Sequence, residues 1–154
     1  LLLKAYYIYK NQLGGSWSLD VFGMGDLLIL KENYIDVQFH SFIPQKKLVK
    51  ISKDFGVFIL PSRLDQWGGV VHEFASLGFP LILSSNVGSK DLFLINGYNG
   101  FTFQSGNAID LAYKMMDFEK LELKVLREFS MNSISISKKI SSNSSAFNVI
   151  SIVR

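Results

Sequence analysis

Short apolar runs alternate with segments of helical periodicity along most of the chain. Alternating or continuous apolar and β-branched residues predict five strands, over residues 17–23, 34–43, 56–62, 81–85 and 101–103. Apolar residues at helical spacing predict helices over 1–12, 26–31, 44–55, 69–78, 89–95 and 107–118, and a mainly helical tail over 119–154 with a polar break at 141–145. Strands joined by helices in this way run parallel, so we expect one α/β domain over residues 1–154 with a Rossmann-like, doubly wound parallel sheet.

Glycine and proline support these boundaries. The pair Gly14-Gly15 ends the first helix, Pro44 opens a later one, and Gly78 followed by Pro80 ends the helix over 69–78. The run GVFILPS at 56–62 is typical of a strand buried on both faces. Because ligands bind at the carboxyl ends of the strands in such sheets, residues 61–69 should lie at a binding edge.

Composition narrows the class of protein. With 48% hydrophobic and 19% charged residues the chain is globular, and no apolar run approaches the length of a membrane span. It has no cysteine and only two histidines, whose spacing fits no zinc motif. Its net charge of +3 and pI near 9.1 come from scattered lysines, so we expect no nucleic-acid partner, while peripheral association with an anionic membrane surface stays open.

The stretch PSRLDQWGGVVHEF at 61–74 carries the candidate chemistry. Gly68, Gly69 and Val70 stand where a predicted strand gives way to a helix, so their amides can face a ligand, and the helix dipole adds attraction for a phosphate. Asp65 lies in the loop before the helix and Glu73 one turn inside it. Carboxylates accept hydrogen bonds from sugar hydroxyls and ribose diols. A diphosphate flanked by two sugars would use every part of this pattern.

A plainer interpretation of the same residues stays open. Asp65 can be a turn residue, the two glycines a simple loop, and Glu73 a solvated helix residue. Arg63 can reach a phosphate or a neighbouring loop. Trp67 can stack on a sugar ring or pack the loop under the helix, and packing is the favoured interpretation.

Other candidate residues are better explained by structure than by catalysis. His72 is favoured as a surface or partly packed histidine, and His40 as a strand residue rather than a general base. Ser89 can border a binding cleft, but helix capping is the plainer role. The aromatic residues expected in the core or at an interdomain surface are Tyr6, Tyr9, Phe118 and Phe129.

The run FILPSRLDQWGGVVHEFASLGFPLILSSNVGSKDLFLINGYNGFTF resembles the donor-binding half of the group 1 glycosyltransferases, which have the GT-B fold. The resemblance rests on Pro61-Ser62, a carboxylate and a glycine loop, a glutamate eight residues after the first carboxylate, the G-x-P of Gly78 to Pro80, and a later NG turn. The flanking LDVFGMGDL and VQFHSFIPQKKLVKISKDF also resemble that half. The similarity covers roughly residues 1–118.

This resemblance implies a role for each matching position. Asp65 would contact the transferred sugar, the backbone of residues 67–71 would hold sugar hydroxyls and the distal phosphate, and Glu73 would bind the ribose diol. Gly23 and Gly25 would let the chain pass close to the donor. Ser41 and the next two residues would lie near the base, although a glycine is usual at position 41.

The implied reaction is transfer of a sugar, of the hexosyl type, from a nucleotide diphosphate sugar to an acceptor hydroxyl. It would proceed with retention, without a metal or another cofactor. Its product would be a surface polysaccharide or a glycolipid, made in the cytoplasm or at the inner face of the membrane. The saccharide or lipid-linked acceptor would bind an N-terminal domain that this chain lacks. The chain begins at Leu1, inside a helical pattern, so we expect a fragment that is inactive alone.

Two other functions fit the same residues. One is a non-catalytic module that binds a nucleotide sugar. The other is a different GT-B enzyme, such as a sugar-nucleotide epimerase or a phosphorylase. The combination of the two carboxylates with PS and G-x-P favours the transferase over the second of these.

Overall fold

The computed structural model describes residues 1–23, 34, 36–44, 47 and 56–140. The predicted helix over 26–31, most of the one over 44–55 and the polar break at 141–145 lie outside these residues. In chain order the elements are α1 (Leu2–Asn11), β1 (Leu19–Phe22), β2 (Val37–His40), β3 (Phe58–Leu60), α2 (Gly69–Ser76), β4 (Leu81–Ser84), α3 (Lys90–Phe93), β5 (Gly100–Phe103), α4 (Ala108–Glu119) and α5 (Leu123–Lys139).

The chain divides into two compact units. The first comprises residues 1–55 and 108–120, and the second comprises residues 56–107 and 121–154. Every strand pair in the described residues is parallel, in a two-stranded sheet β1–β2 and a three-stranded sheet β3–β4–β5. This confirms the α/β class with parallel strands, while the single domain over residues 1–154 stays a prediction.

In the first unit, α1 packs against α4. Tyr6 and Tyr9 of α1 and Phe118 of α4 are buried, which confirms that they are core residues. The Tyr6 hydroxyl donates to the carbonyls of Trp17 and Asp36, at 3.0 and 3.2 Å, and so connects α1 to the segments that precede β1 and β2. Burial, reinforced by the negative charge of Asp36, raises the pKa of Tyr6 to about 12.

A second group of polar contacts in this unit, which we call the Glu119 cluster, joins Tyr9, Ser16 and Glu119. The Glu119 carboxylate accepts hydrogen bonds from the Tyr9 hydroxyl and from the amide and hydroxyl of Ser16, with the amide at 3.0 Å. Burial favours the neutral acid, but these hydrogen bonds prevail and hold the pKa of Glu119 below its ordinary value. The pKa of Tyr9 is raised, because its hydroxyl is buried and donates a hydrogen bond to Glu119.

In the second unit, β4 is the middle strand and all four of its residues are buried. The core around it consists of Val71, Ala75, Leu81, Leu83, Val87, Phe93, Leu94 and Ile136. The prediction that the strand in GVFILPS is buried on both faces is wrong, since the three residues of β3 are only partly buried. β3 lies at an edge of the described three-stranded sheet, with a hydrogen-bonded neighbour on one side.

Helix α2 ends as predicted, at a glycine followed closely by proline. Gly78 has a left-handed backbone with φ 86°, and its amide donates to the carbonyl of Ala75. The amide of Phe79 donates to the carbonyl of Phe74, and the two rings meet edge to face with centroids 5.1 Å apart. This is a complete Schellman motif, in which the last carbonyls of the helix are bonded.

The predicted helical tail is confirmed in its described part, where α5 runs for 17 residues and packs against α2. Phe129 of α5 is buried, as expected. None of the helices in the described part of the chain combines the length and apolar character needed to cross a bilayer.

Candidate functional site

The candidate site lies in the second unit, in the loop that leaves the carboxyl end of β3. We call residues 63–68 the site loop. It runs beside residues 85–89, the β4–α3 turn, and an isolated parallel bridge pairs Asp65 with Val87. Both segments follow parallel strands, so the site loop occupies the edge of the sheet where the sequence predicts a ligand.

Asp65 is held in a turn and keeps part of its carboxylate available. Its Oδ1 accepts a hydrogen bond from the amide of Trp67 at 3.1 Å, the geometry of a side chain that closes its own turn. Its Oδ2 accepts no hydrogen bond from the residues that the structure describes. The turn role and a ligand role are therefore compatible, since one carboxylate oxygen serves each.

Helix α2 begins with open amides. Gly68 precedes it with a left-handed backbone, φ 73° and ψ 54°, and supplies no side-chain cap. The amide of Val71 turns back to the carbonyl of Gly68 at 2.9 Å, whereas those of Gly69 and Val70 have no partner among the described residues. A Cβ built on Gly69 would meet a single atom within 4 Å, Cδ1 of Trp67 at 3.9 Å, so the space before the helix is open.

Glu73 stands one turn into α2, four residues after Gly69. Residues four positions apart lie on the same face of a helix, so Glu73 and Gly69 share one face of α2. The side chain is partly buried, and its carboxylate has no hydrogen-bond or ion-pair partner in the described part of the chain. A partly buried carboxylate without a protein partner is well suited to accept hydrogen bonds from a ligand.

Two exposed side chains flank these groups. The Trp67 indole is 55% exposed, so the expectation that it packs the loop under the helix is wrong. Backbone hydrogen bonds fix the loop instead, which leaves the ring to face solvent. Arg63 holds the loop through its carbonyl, which accepts from Asn86 Nδ2 at 3.0 Å and from the Ser105 hydroxyl at 2.9 Å. Its guanidinium is exposed and has no partner among the described residues.

The remaining predicted site residues belong to the first unit. Gly23 follows β1 with φ 143°, and its amide donates to the carbonyl of His40 at 3.2 Å. Ser41 is exposed directly after β2. Both therefore lie at the carboxyl end of the two-stranded sheet, while Gly25 lies outside the described residues.

The two histidines are accounted for by packing and pairing. His72 stacks on Phe93, with ring centroids 4.9 Å apart, which confirms the interpretation as a packed residue. His40 Nε2 lies 2.6 Å from Asp20 Oδ1, and its ring stacks on Phe22. Sequence reasoning missed this pair, although a carboxylate inside the strand LDVF was a signal that it needs a partner.

Sequence reasoning also missed the contacts made by the β4–α3 turn. Asp65 donates its amide to the carbonyl of Asn86 and accepts from the amide of Gly88, at 3.1 and 2.9 Å. The amide of Ser89 donates to the carbonyl of Trp67 at 2.8 Å. The Ser89 hydroxyl donates to the carbonyl of Gly68 at 3.3 Å and does not cap α3, so its predicted capping role is wrong.

No three side chains of the metal-binding types cluster within the described ranges.

The sequence matches the profile of the family described as glycosyl transferases group 1 over residues 1–135. The chain belongs to this family. A comparison with curated protein sequences finds no match.

Solved structures of glycosyltransferases share the fold. A sucrose-phosphate synthase from Thermosynechococcus elongatus superposes with a TM-score of 0.79 at 18% identity, over 99% of this chain and 41% of that one. A glycosyltransferase from Rickettsia africae gives 0.80 at 14% identity, over 98% and 42%. The pneumococcal O-GlcNAc transferase GtfA, solved with UDP and GlcNAc, gives 0.72 at 19% identity, over 89% and 29%. The chain thus spans about two fifths of the length of the first of these structures and less than a third of the pneumococcal enzyme.

Proposed function

We propose that this chain is the donor-binding part of a retaining glycosyltransferase that transfers a sugar from a nucleotide diphosphate sugar to an acceptor hydroxyl. The proposal rests on the open N-terminus of α2 and on Glu73 one turn inside it, whose carboxylate has no partner among the described residues. Membership of the group 1 family supports it, as does the binding of UDP by the structurally similar pneumococcal transferase.

The open amides of Gly69 and Val70 would hold the diphosphate. Each presents an N–H that has no acceptor in the part of the chain that the structure describes, and the helix dipole favours negative charge at this end. When the sugar departs, charge develops on the leaving diphosphate, so amides already aimed at it stabilise the transition state. Arg63, with its exposed guanidinium, would add a positive charge beside the same phosphates.

The two carboxylates would hold the two sugars at either side of the diphosphate. Glu73 would accept hydrogen bonds from the ribose diol. Oδ2 of Asp65, which accepts no hydrogen bond from any described residue, would contact the transferred sugar. The exposed Trp67 indole offers a flat apolar face to a sugar ring. In the first unit, Gly23 would let the chain pass close to the donor, and Ser41 would border the base.

The test is a titration of the chain with UDP, GDP, ADP and TDP and their sugar conjugates, comparing wild type with Glu73→Ala. Glu128→Ala, an exposed glutamate on α5, is the matched control. A lost hydrogen bond to a charged acceptor costs about 1.5–3 kcal/mol, so Glu73→Ala should weaken the preferred nucleotide by about 10- to 150-fold. Equal affinities for Glu73→Ala and Glu128→Ala would contradict the proposal.

We propose further that the acceptor, a saccharide or a lipid-linked saccharide, binds outside this chain. The superposition on only two fifths of the first structural relative supports this. The reaction would take place in the cytoplasm or at the inner membrane face, and the mildly basic charge of +3 is compatible with an anionic surface there. We expect transfer by the full-length protein to be metal-independent, and undiminished activity in EDTA is the measurement that checks it.

A further inference from the structure

We propose that the β4–α3 turn is the positioning element of the candidate site, with Gly88 and Ser89 as positioning residues. These two residues hold the site loop in the shape that aims Asp65 and the open amides of α2. The inference rests on the proposed function, because positioning has a consequence only if the site binds a nucleotide sugar.

Several hydrogen bonds join the site loop to the β4–α3 turn. Three backbone hydrogen bonds join the Asp65–Trp67 segment to the turn residues Asn86, Gly88 and Ser89, at 2.8 to 3.1 Å. The Asn86 side chain adds a fourth, to the carbonyl of Arg63. These bonds extend the pairing of β3 with β4 past the ends of both strands. The site loop is therefore an extension of the sheet and has little freedom to change shape.

Gly88 approaches the backbone of the site loop closely. A Cβ built there would lie 2.0 Å from the carbonyl oxygen of Gln66 and 2.8 Å from its carbonyl carbon. Both are backbone atoms of the site loop, so no side-chain rotation can relieve the conflict. Gly88 is exposed and its φ is not left-handed, so the glycine is required here by proximity to the site loop.

Ser89, the last residue of the turn, is fully buried. Its amide and its hydroxyl both donate to the site loop, to the carbonyls of Trp67 and Gly68. Gly68 is the left-handed residue that turns the chain into α2, so Ser89 fixes the point at which the open amides begin. A shift of about 1 Å in a positioned group can cost roughly 100-fold in rate, which is why such an anchor matters.

The test compares Gly88→Ala with Gly97→Ala in the 154-residue chain. Gly97 is an exposed turn glycine of the same unit, with φ 73° and open space around it, so its variant introduces backbone strain without touching the site loop. Ser89→Ala is the second variant, in case Gly88→Ala fails to fold. Its control is Ser137→Ala, a buried serine on α5 whose hydroxyl donates to the carbonyl of Ile134.

Two readouts separate positioning from general stability. The first is amide hydrogen exchange at residues 65, 67, 88 and 89 in the ligand-free protein. Both turn variants should accelerate it by about tenfold or more, while the controls should change it only in step with their melting temperatures. The second is the affinity for whichever of UDP, GDP, ADP and TDP and their sugar conjugates the wild type prefers. The turn variants should weaken this affinity by about tenfold or more, and the controls by less than about twofold.

Each outcome has a distinct meaning. If both turn variants exchange and bind like their controls, the positioning role is wrong. If the wild type binds none of UDP, GDP, ADP and TDP and none of their sugar conjugates while exchange accelerates as expected, the proposed function fails, but the turn still holds the loop. If exchange accelerates and affinity is unchanged, the turn holds the loop without positioning the site, and the proposal is overturned.

Discussion

Glu119 in the first unit and Glu73 in the second are both partly buried glutamates on helices, but their surroundings differ. The Glu119 carboxylate receives hydrogen bonds from Tyr9 and from Ser16, whereas Glu73 receives none from the described residues. A carboxylate whose bonding capacity is used inside the protein stabilises the fold. One whose capacity is left unused is available to a ligand. We therefore expect the Glu119 cluster to contribute to stability, and we propose the start of α2 as the place where a ligand binds.

The largest expected effect on stability is at Glu119. Glu119→Ala leaves the buried Tyr9 hydroxyl without its acceptor, and it should lower the free energy of unfolding by about 1–3 kcal/mol in urea titrations. Glu119→Gln keeps one acceptor oxygen, so its free energy of unfolding should fall by less than that of Glu119→Ala. Equal stability of Glu119→Ala and wild type would mean that the cluster contributes nothing, and the comparison would fail.

Acidification should have a smaller effect on the free energy of unfolding. The pKa of Glu119 is lowered in the folded protein from an ordinary value of 4.5, so its ionised form is favoured by folding. The stability it contributes is present above pH 4.5 and is lost as the pH falls through the lowered pKa. Unfolding titrations between about pH 6 and about pH 3 should show the advantage of wild type over Glu119→Gln shrinking toward acid. If the stability advantage of wild type over Glu119→Gln instead grew as the pH fell, the ionised form of Glu119 would not be the one that folding favours.

In the second unit, Gly69→Ala should change stability and nucleotide affinity in opposite directions. The added methyl meets open space on a backbone that is not left-handed, so the variant should be more stable by about 0.4–1 kcal/mol in thermal unfolding. The same methyl narrows the open space before the helix, where the nucleotide would lie, so nucleotide affinity should fall several-fold. Gly106→Ala, where φ is 82°, is the contrasting control and should lose stability without losing affinity. A destabilised Gly69→Ala would show that the space is not open.

The smallest effect should be on the folding of Glu73→Gln. Because the carboxylate has no partner among the described residues, its free energy of unfolding should stay within about 0.5 kcal/mol of wild type. Urea titrations of this variant and of Glu119→Gln, run side by side, compare the two regions directly. If Glu73→Gln lowered the free energy of unfolding as much as Glu119→Gln does, the two glutamates would not differ in their contribution to stability.

The features that the sequence predicts well are local ones. Gly78 and Pro80 end α2 because the left-handed turn and the missing amide act within a few residues. Continuous apolar runs likewise predict β4 and its burial. The partial burial of β3 was not predictable in the same way. Whether a strand is central or at an edge depends on which distant segments pair with it.

In the candidate site, too, the sequence predicts the local features but not the contacts between distant segments. Asp65, Gly68, Gly69 and Glu73 could be chosen from one short stretch, because a strand end, a glycine turn and a helix start are adjacent in sequence. The residues that support them could not be chosen in this way, since Asp65 and Asn86 have 20 residues between them in the chain and are joined by an ordinary backbone hydrogen bond. The direction of the Trp67 side chain was missed for a related reason, because the bonds that free it from packing belong to the β4–α3 turn.

The contact between Gly88 and the carbonyl of Gln66 also constrains how this site can be re-engineered. Grafting the site loop of a relative into this chain, to change donor preference, transfers a backbone shaped against that relative's own turn. Residues 63–70 and 85–89 should therefore be replaced together, although they are separated in the sequence. Libraries that randomise both segments together should yield folded, binding variants more often than libraries that vary either one alone.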